Sequence, residues 1–218
     1  VYAIGQTNLK RMLAYSTINQ LSFILLGIGL LSPMSLTGAM LHIPFHGFMK
    51  ITLFMCAGAI AAIAGVKTIS GLAGIGRQMP VTLTAFIIGA FGMCGAPPLA
   101  GLISKWHIAL GAVESEQLFF LAVICLGSLL DVVYFFPVIR DAFFGKMHAF
   151  EVLDDEEPKV MLYEGKTGII ECKKGLYLFM VIPLAVTALF SILFCLFPNL
   201  FNIYELATMA AKEIFGRM

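Results

Sequence analysis

The chain has 218 residues, 60% of them apolar and 12% charged, with a formal net charge of +1, and its mean hydropathy is +0.94. An average soluble domain carries roughly a quarter charged residues, so water is not the only solvent this sequence is built for. Lys and Arg are spread too thinly for a nucleic-acid surface, which depends on clustered cations facing phosphates, and the function is to be sought within a lipid bilayer.

Crossing a hydrocarbon core of roughly 30 Å takes about 20 mainly apolar residues. In chain order, Met12 to Leu31, Ser35 to Gly65, Gln117 to Arg140 and Gly175 to Pro198 qualify. Val81 to Glu114 is also apolar, but Gly95-Ala96-Pro97-Pro98 cuts it, and tandem prolines lack backbone donors and cannot continue a helix. Each half rises only about 21 to 24 Å, which leaves two short spans or one broken span. Charge placement separates these, because Lys and Arg collect in cytoplasmic loops. Two separate crossings divide the cations evenly. One broken crossing puts Lys10, Arg11, Lys67, Arg77, Arg140, Lys146, Lys159, Lys166, Lys173 and Lys174 on one side, with only Lys212 and Arg217 opposite.

The sequence therefore predicts an all-α, polytopic membrane protein of about five crossings, the third a discontinuous helix broken at Gly95-Pro98. Segments 66–80 and 141–174 are expected on the cytoplasmic side of a cell (inner) membrane. Asp154-Asp155-Glu156-Glu157-Pro158 and Gly165 mark the second as a solvated polar loop. Residues 1–198 read as the membrane domain and 199–218 as an amphipathic C-terminal helix. Apolar and polar residues alternate at helical spacing from Phe201 to Phe215, which suits a bilayer surface or a partner. The first residue is Val1, with no basic-then-apolar leader before the first apolar run, so the chain reads as a fragment or a processed piece. Cys56, Cys94, Cys125, Cys172 and Cys195 stand far apart, without a CxxC pair or a histidine at ligand spacing. No zinc site, iron–sulfur cluster or other cofactor is expected, and the thiols read as packing.

His42, His46 and Lys50 recur every fourth residue, which sets them on one helix face. Lys50 lies about 22 Å from either end of its segment, too deep to snorkel to an interface. A lysine at that depth costs at least about 2.5 to 3.5 kcal/mol on insertion scales, so a functional role is the default reading. A rise of about 6 Å per four residues is too long for direct hydrogen bonds and suits one bridging water. Histidine and buried lysine both load and release protons, which is the chemistry of a proton relay. A lone histidine is more often a satisfied packing residue. Three titratable groups on one face, with Pro44 freeing a carbonyl between them, weigh against packing alone. No carboxylate or thiolate joins the stripe, so no metal site is expected.

Ser104-Lys105-Trp106-His107 lies mid-way along the half-helix after the prolines. Broken transporter helices place half-helix ends and their dipoles beside a site near the midplane, and the positive N-terminal end of this half opposes a full charge on Lys105. A structural ion pair is the alternative role for Lys105. Lys10 and Arg11, at the first helix entrance, read most simply as interfacial anchors. Asp131, deep in its helix, stands open between pairing and relay, and His107 is a secondary candidate beside Lys105.

The order Asn8-Leu9-Lys10-Arg11-Met12-Leu13-Ala14-Tyr15-Ser16-Thr17-Ile18-Asn19-Gln20, then His42-x3-His46-x3-Lys50, then Gly95-x-Pro97-Pro98-x2-Gly101-x2-Ser104-Lys105, resembles the antiporter-like subunits shared by respiratory complex I, membrane-bound hydrogenases and Mrp-type sodium/proton antiporters. Met180-Val181-Ile182-Pro183-Leu184 through Phe197-Pro198 looks closest to the Mrp-type and hydrogenase-type members. The resemblance implies that Lys10, His42, His46 and Lys50 lie on a central hydrophilic axis, Lys10 as a relay residue, and that Lys105 is the exit-side proton carrier. It implies other membrane subunits of a multisubunit complex as partners, and protons, alone or exchanged for sodium, as cargo. It covers only the later half of such a subunit; the earlier half, with a glutamate and lysine pair on its own broken helix, has no counterpart here. The expected function is proton translocation by a Lys/His/water relay. The alternative is a non-conducting membrane subunit that scaffolds a redox partner. No catalytic site of its own is expected, so enzyme activity would belong to a parent NADH dehydrogenase-like or hydrogenase complex.

Overall fold

A computed structural model describes residues 2–145 and 171–216, the side chains of 171–177 excepted. Their regular structure is helical, apart from one isolated bridge between Asn8 and Thr68. Helix α1 (Leu9–Gly29) starts where the Asn8 side chain accepts from the backbone N–H groups of Lys10 and Arg11. Helix α2 (Pro33–Ala64) opens with a capping box between Ser32 and Ser35 and Pro33 in its first turn, and closes at Gly65 with φ 73°. These are the residues that satisfy orphan donors at a helix start and tolerate the left-handed turn after its end. Pro44 is accommodated inside α2. After two 3-10 turns, Ser70–Leu72 and Ile75–Arg77, come α3 (Pro80–Cys94) and α4 (Ala100–Glu114). Then follow α5 (Leu118–Phe144), α6 (Glu171–Leu196), a 3-10 turn at Leu200–Asn202, and α7 (Ile203–Gly216).

The helices pack as alternating antiparallel passes around α2. On α1, Gly27 lies against Ala39 and Ser35 of α2, Gln20 meets His42, and Ser16 meets Lys50. On α6, Thr187 bonds Thr52 and Phe194 stacks on Phe45, with ring centroids 5.2 Å apart. The two halves of the interrupted stretch both run opposite to α2, one after the other. In α3, Thr82 accepts from the Cys56 thiol, Gly89 packs on Leu53 and Gly92 on Met49. In α4, Ser104 bonds His42, Ile108 packs on Gly38 and Gly111 on Ser35. Their joint register along α2 is that of one interrupted helix.

Among the described residues, four helical stretches are long and apolar enough to cross a membrane, Leu9–Gly29, Pro33–Ala64, Leu118–Phe144 and Leu178–Leu196. Each half of the broken helix has 15 residues and rises about 22 Å. Outer faces are apolar, with Leu25 70% and Phe119 74% exposed, as hydrocarbon solvent requires.

The N–H of Leu9 donates to Lys67 O at 3.1 Å, that of Ile69 to Thr7 O at 2.8 Å, and that of Gly74 to Asp141 O at 3.2 Å. The start of α1, segment 66–80 and the end of α5 thus share one end of the bundle, which gathers Lys10, Arg11, Lys67, Arg77 and Arg140. Residues 146–170, with the acidic stretch, lie outside the described residues. Helix α7 packs on this chain's own α2. Ala207 and Ala211 are buried there, while Leu206 and Met209 face outward.

Candidate functional site

The break between α3 and α4 builds a cation site. Gly95, at φ 85°, caps α3 in the left-handed conformation. Its N–H donates to Gly92 O at 3.1 Å, and that of Ala96 to Phe91 O at 3.0 Å. Two of the carbonyls orphaned at a helix end are satisfied in this way. The Met93 carbonyl is left to side chains, and it accepts from Lys105 Nζ at 2.6 Å and Gln20 Nε2 at 3.3 Å. The halves approach closely because Gly101 lacks a side chain: a Cβ there would stand 1.9 Å from Gly92 O.

The sequence sets Lys105 against the positive N-terminal end of α4, and the structure corrects this. Its side chain reaches back across the break to the C-terminal, negative end of α3, where the dipole favours a cation. The aliphatic stem is long enough to leave its own helix, so the position of Cα along α4 does not set the field at Nζ.

Around Nζ the donors and acceptors balance. The ammonium group has three donors, and Lys105 Nζ lies 2.6 Å from Met93 O, 3.0 Å from Asp131 Oδ2 and 3.2 Å from Ser128 Oγ. The Phe23 ring centroid lies 4.5 Å away. A carboxylate has about four acceptor positions. Asp131 Oδ2 accepts from Lys105 and from Gln20 at 2.7 Å. Its Oδ1 accepts from Asn19 at 2.9 Å and from Tyr134. Lys105 is 6% exposed and Asp131 0%. An unpaired charge at such a place would be expensive, and a fully hydrogen-bonded pair is the arrangement that tolerates it. Asp131 therefore stands in an ion pair with Lys105. Ser128, Asp131 and Tyr134 follow at intervals of three, so α5 presents them on one face.

The stripe on α2 meets this centre from the other side. His42 is fully buried, with Nε2 3.1 Å from Gln20 Oε1 and Nδ1 2.8 Å from Ser104 Oγ. His46 stacks on it with centroids 5.8 Å apart and planes 14° apart. The buried His46 Nε2 has no protein partner among the described residues. Lys50 Nζ turns to α1, donating to Leu13 O at 2.9 Å and to Ser16 Oγ. Ser16 interacts with the Tyr134 side chain, and the Tyr134 hydroxyl itself donates to Asp131. Lys50 bonded to Ser16, and Tyr134, Asp131 and Lys105 bonded in series, thus form two polar groups side by side, with Gln20, His42 and Ser104 as a branch of the second.

Lys10 and Arg11 are exposed at the charged end of the bundle and are not brought into this network. His107 is not part of it either. Its Nδ1 lies 2.8 Å from Ile103 O, and its Nε2 lies 3.4 Å from the Tyr204 hydroxyl, tying α4 to α7. Sequence reasoning gave no role to Ser16, Asn19, Gln20, Ser128 or Tyr134, and named Ser104 only as the neighbour of Lys105. Ser16 and Gln20, four residues apart inside an apolar span, were the available signal.

This fold and site define a class: a polytopic helical membrane protein with buried ionisable groups gathered at a helix break. Within that class, the chain belongs to the NADH:quinone oxidoreductase/Mrp antiporter TM family, whose model matches residues 1–131. It is similar to NADH-quinone oxidoreductase subunit N of Desulforudis audaxviator, 42% identical over 66% of this chain and 28% of that protein. It is also similar to a subunit of the Na(+)/H(+) antiporter of Alkalihalophilus pseudofirmus, 30% identical over 73% of this chain and 33% of that protein. The chain therefore spans under a third or about a third of these relatives. Its fold matches a chain of the Mrp complex from Dietzia sp. with TM-score 0.79 at 22% identity, covering 96% of this chain and 43% of that one. It also matches a chain of the archaeal membrane-bound sulfane sulfur reductase, with TM-score 0.76 at 26% identity, covering 98% and 39%.

Proposed function

We propose that this chain conducts protons across the membrane as part of a multisubunit complex, by water-assisted hops among Lys50, His42, His46 and Lys105, with Lys10 standing at the charged end where protons enter. The observation that carries this reading is the Lys105–Asp131 pair, buried at the helix break, with Tyr134 bonded to Asp131 and Lys50 bonded to Ser16. Packing has no need of two lysines at bilayer depth, and ionisable groups there mark ion paths. His46 Nε2, buried and unpartnered by the described residues, is the kind of atom an internal water satisfies. With the α3–α4 pair counted as one crossing, the passes number five among the described residues. The positive-inside rule then puts segments 66–80 and 141–174 in the cytoplasm of a cell (inner) membrane.

Protons suit the site better than sodium does. Sodium needs free oxygen ligands, and Asp131 already accepts four hydrogen bonds. Electron transfer and its cofactors belong, on this reading, to partner subunits. The test is dissipation of a pH gradient in proteoliposomes carrying the whole assembly. Lys50→Ala and Lys105→Ala are each expected to abolish it with the subunits still assembled, and unchanged flux in both would refute the relay.

A further inference from the structure

Gln20 has no charge and no place in the relay, yet it touches both halves of it. It is fully buried, and its amide nitrogen faces two groups that can only accept, Asp131 Oδ2 at 2.7 Å and Met93 O at 3.3 Å. The NH2 end must therefore point toward the break, since the opposite orientation would set the amide oxygen against a carboxylate and a carbonyl. The oxygen Oε1 is then presented to His42 Nε2 at 3.1 Å, and an acceptor there requires that Nε2 carry the hydrogen.

We infer that Gln20 is a positioning residue that fixes His42 in the Nε2–H tautomer, so that Nδ1, on the Ser104 side, is the sole atom of His42 that exchanges protons. The inference deepens the relay reading and rests on it for its functional part.

The second nitrogen fits this assignment. In neutral His42, Nδ1 is an acceptor, and Ser104 Oγ, 2.8 Å away, donates to it. The same hydroxyl lies 3.3 Å from Gly101 O. When His42 takes a proton from a hydronium ion, the new N–H bond forms at Nδ1 and water is left. Nδ1 then donates to Ser104 Oγ, and the Ser104 hydroxyl turns to Gly101 O. Release of that proton to water reverses both changes. Every polar atom keeps a partner in either state, as a buried network requires. The amide of Gln20 neither takes up nor passes a proton, so His42 and the Lys105–Asp131 pair are held at fixed geometry without a direct proton path between them. A proton passing from His42 itself toward Lys105 leaves through Nδ1.

The test is the side-chain nitrogen NMR spectrum of histidine-labelled protein in its complete assembly in lipid, at alkaline pH, with His42 assigned by the signals lost in His42→Gln. Wild type is expected to show a protonated Nε2 and a bare Nδ1. Gln20→Met, similar in volume, removes the acceptor, and the proton is expected to move to Nδ1 in most molecules. Ser104→Ala is expected to leave the tautomer unchanged. An Nδ1–H tautomer in wild type, an unchanged tautomer in Gln20→Met, or a switch in Ser104→Ala would each overturn the assignment. If Gln20→Met does not assemble, the wild-type and Ser104→Ala spectra decide it alone. Proton flux in Gln20→Met is expected to fall about tenfold, the rate equivalent of one hydrogen bond to a charged or charging group; a switched tautomer with unchanged flux would overturn the positioning role. Loss of the relay reading itself shows separately, as unchanged flux in the lysine variants with the tautomer as assigned.

Discussion

Lys50 and Lys105 are both buried near the middle of the bundle, 5% and 6% exposed, and they are held in opposite ways. Lys105 has a carboxylate partner, a helix C-terminal carbonyl and a hydroxyl. Lys50 has a carbonyl and a hydroxyl on α1 and, among the described residues, no carboxylate in contact. A charge held by a desolvated carboxylate is tied to that partner, and losing one member strands the other. A charge held by neutral oxygens is cheaper to give up, because those oxygens still satisfy each other, as Ser16 does with Leu13 O at 3.0 Å. On the relay proposed above, the charge on Lys105 would be the more firmly held of the two and that on Lys50 the more readily passed on.

The largest effect follows from breaking the pair on one side. Asp131→Ala leaves Lys105 buried without its counter-charge and is expected to destabilise the protein by about 3 to 5 kcal/mol, read as a lowered thermal midpoint of the purified assembly. Lys105→Met combined with Asp131→Asn, which keeps an acceptor for Gln20 and Tyr134, is expected to recover part of that stability while transport stays lost. Recovery of neither would show that the pair is not the unit. Lys50→Met, by contrast, is expected to cost about 1 kcal/mol, and a loss as large as that of Asp131→Ala would erase the distinction.

The break that serves Lys105 can be probed through its glycines. Gly101→Ala puts a Cβ 1.9 Å from Gly92 O, and such overpacking is expected to cost about 1 to 3 kcal/mol and to reduce flux by displacing Met93 O from Lys105. Gly47→Ala, where a Cβ meets nothing within 4 Å, is expected to be neutral or to stabilise by about 0.5 kcal/mol through helix propensity. The smallest change is expected of His107→Phe, which removes the contact with Tyr204 outside the network and should leave proton flux at the wild-type level in the same vesicle assay.

Much of the fold was legible because bilayer depth imposes its own lengths. Apolar runs gave α1, α2, α5 and α6 to within a few residues, and Gly95-Ala96-Pro97-Pro98 gave the interruption. The deep position of Lys50 and the four-residue spacing of His42 and His46 followed from helical period alone. What sequence could not supply was the direction in which a long side chain leans. Lys105 is placed by Cα on α4, yet its amine belongs electrostatically to α3, because Gly95 ends that helix in a way that leaves Met93 O free. Partner choice was equally hidden: Asp131 meets Asn19 and Gln20 across 112 and 111 positions of sequence, and nothing local announces it. Lys10, implied by resemblance to lie on the axis, stands exposed at one end, where its part in the path rests on proposal rather than contact.

The central claim is that Lys50 and Lys105 are carriers that gain and lose a proton, not fixed charges. Arginine keeps the positive charge and does not lose its proton in proteins, so Lys50→Arg separates the two roles. In proteoliposomes holding the complete assembly, the account predicts that Lys50→Arg assembles and dissipates a pH gradient no faster than Lys50→Ala. Flux retained near the wild-type rate in Lys50→Arg would contradict it.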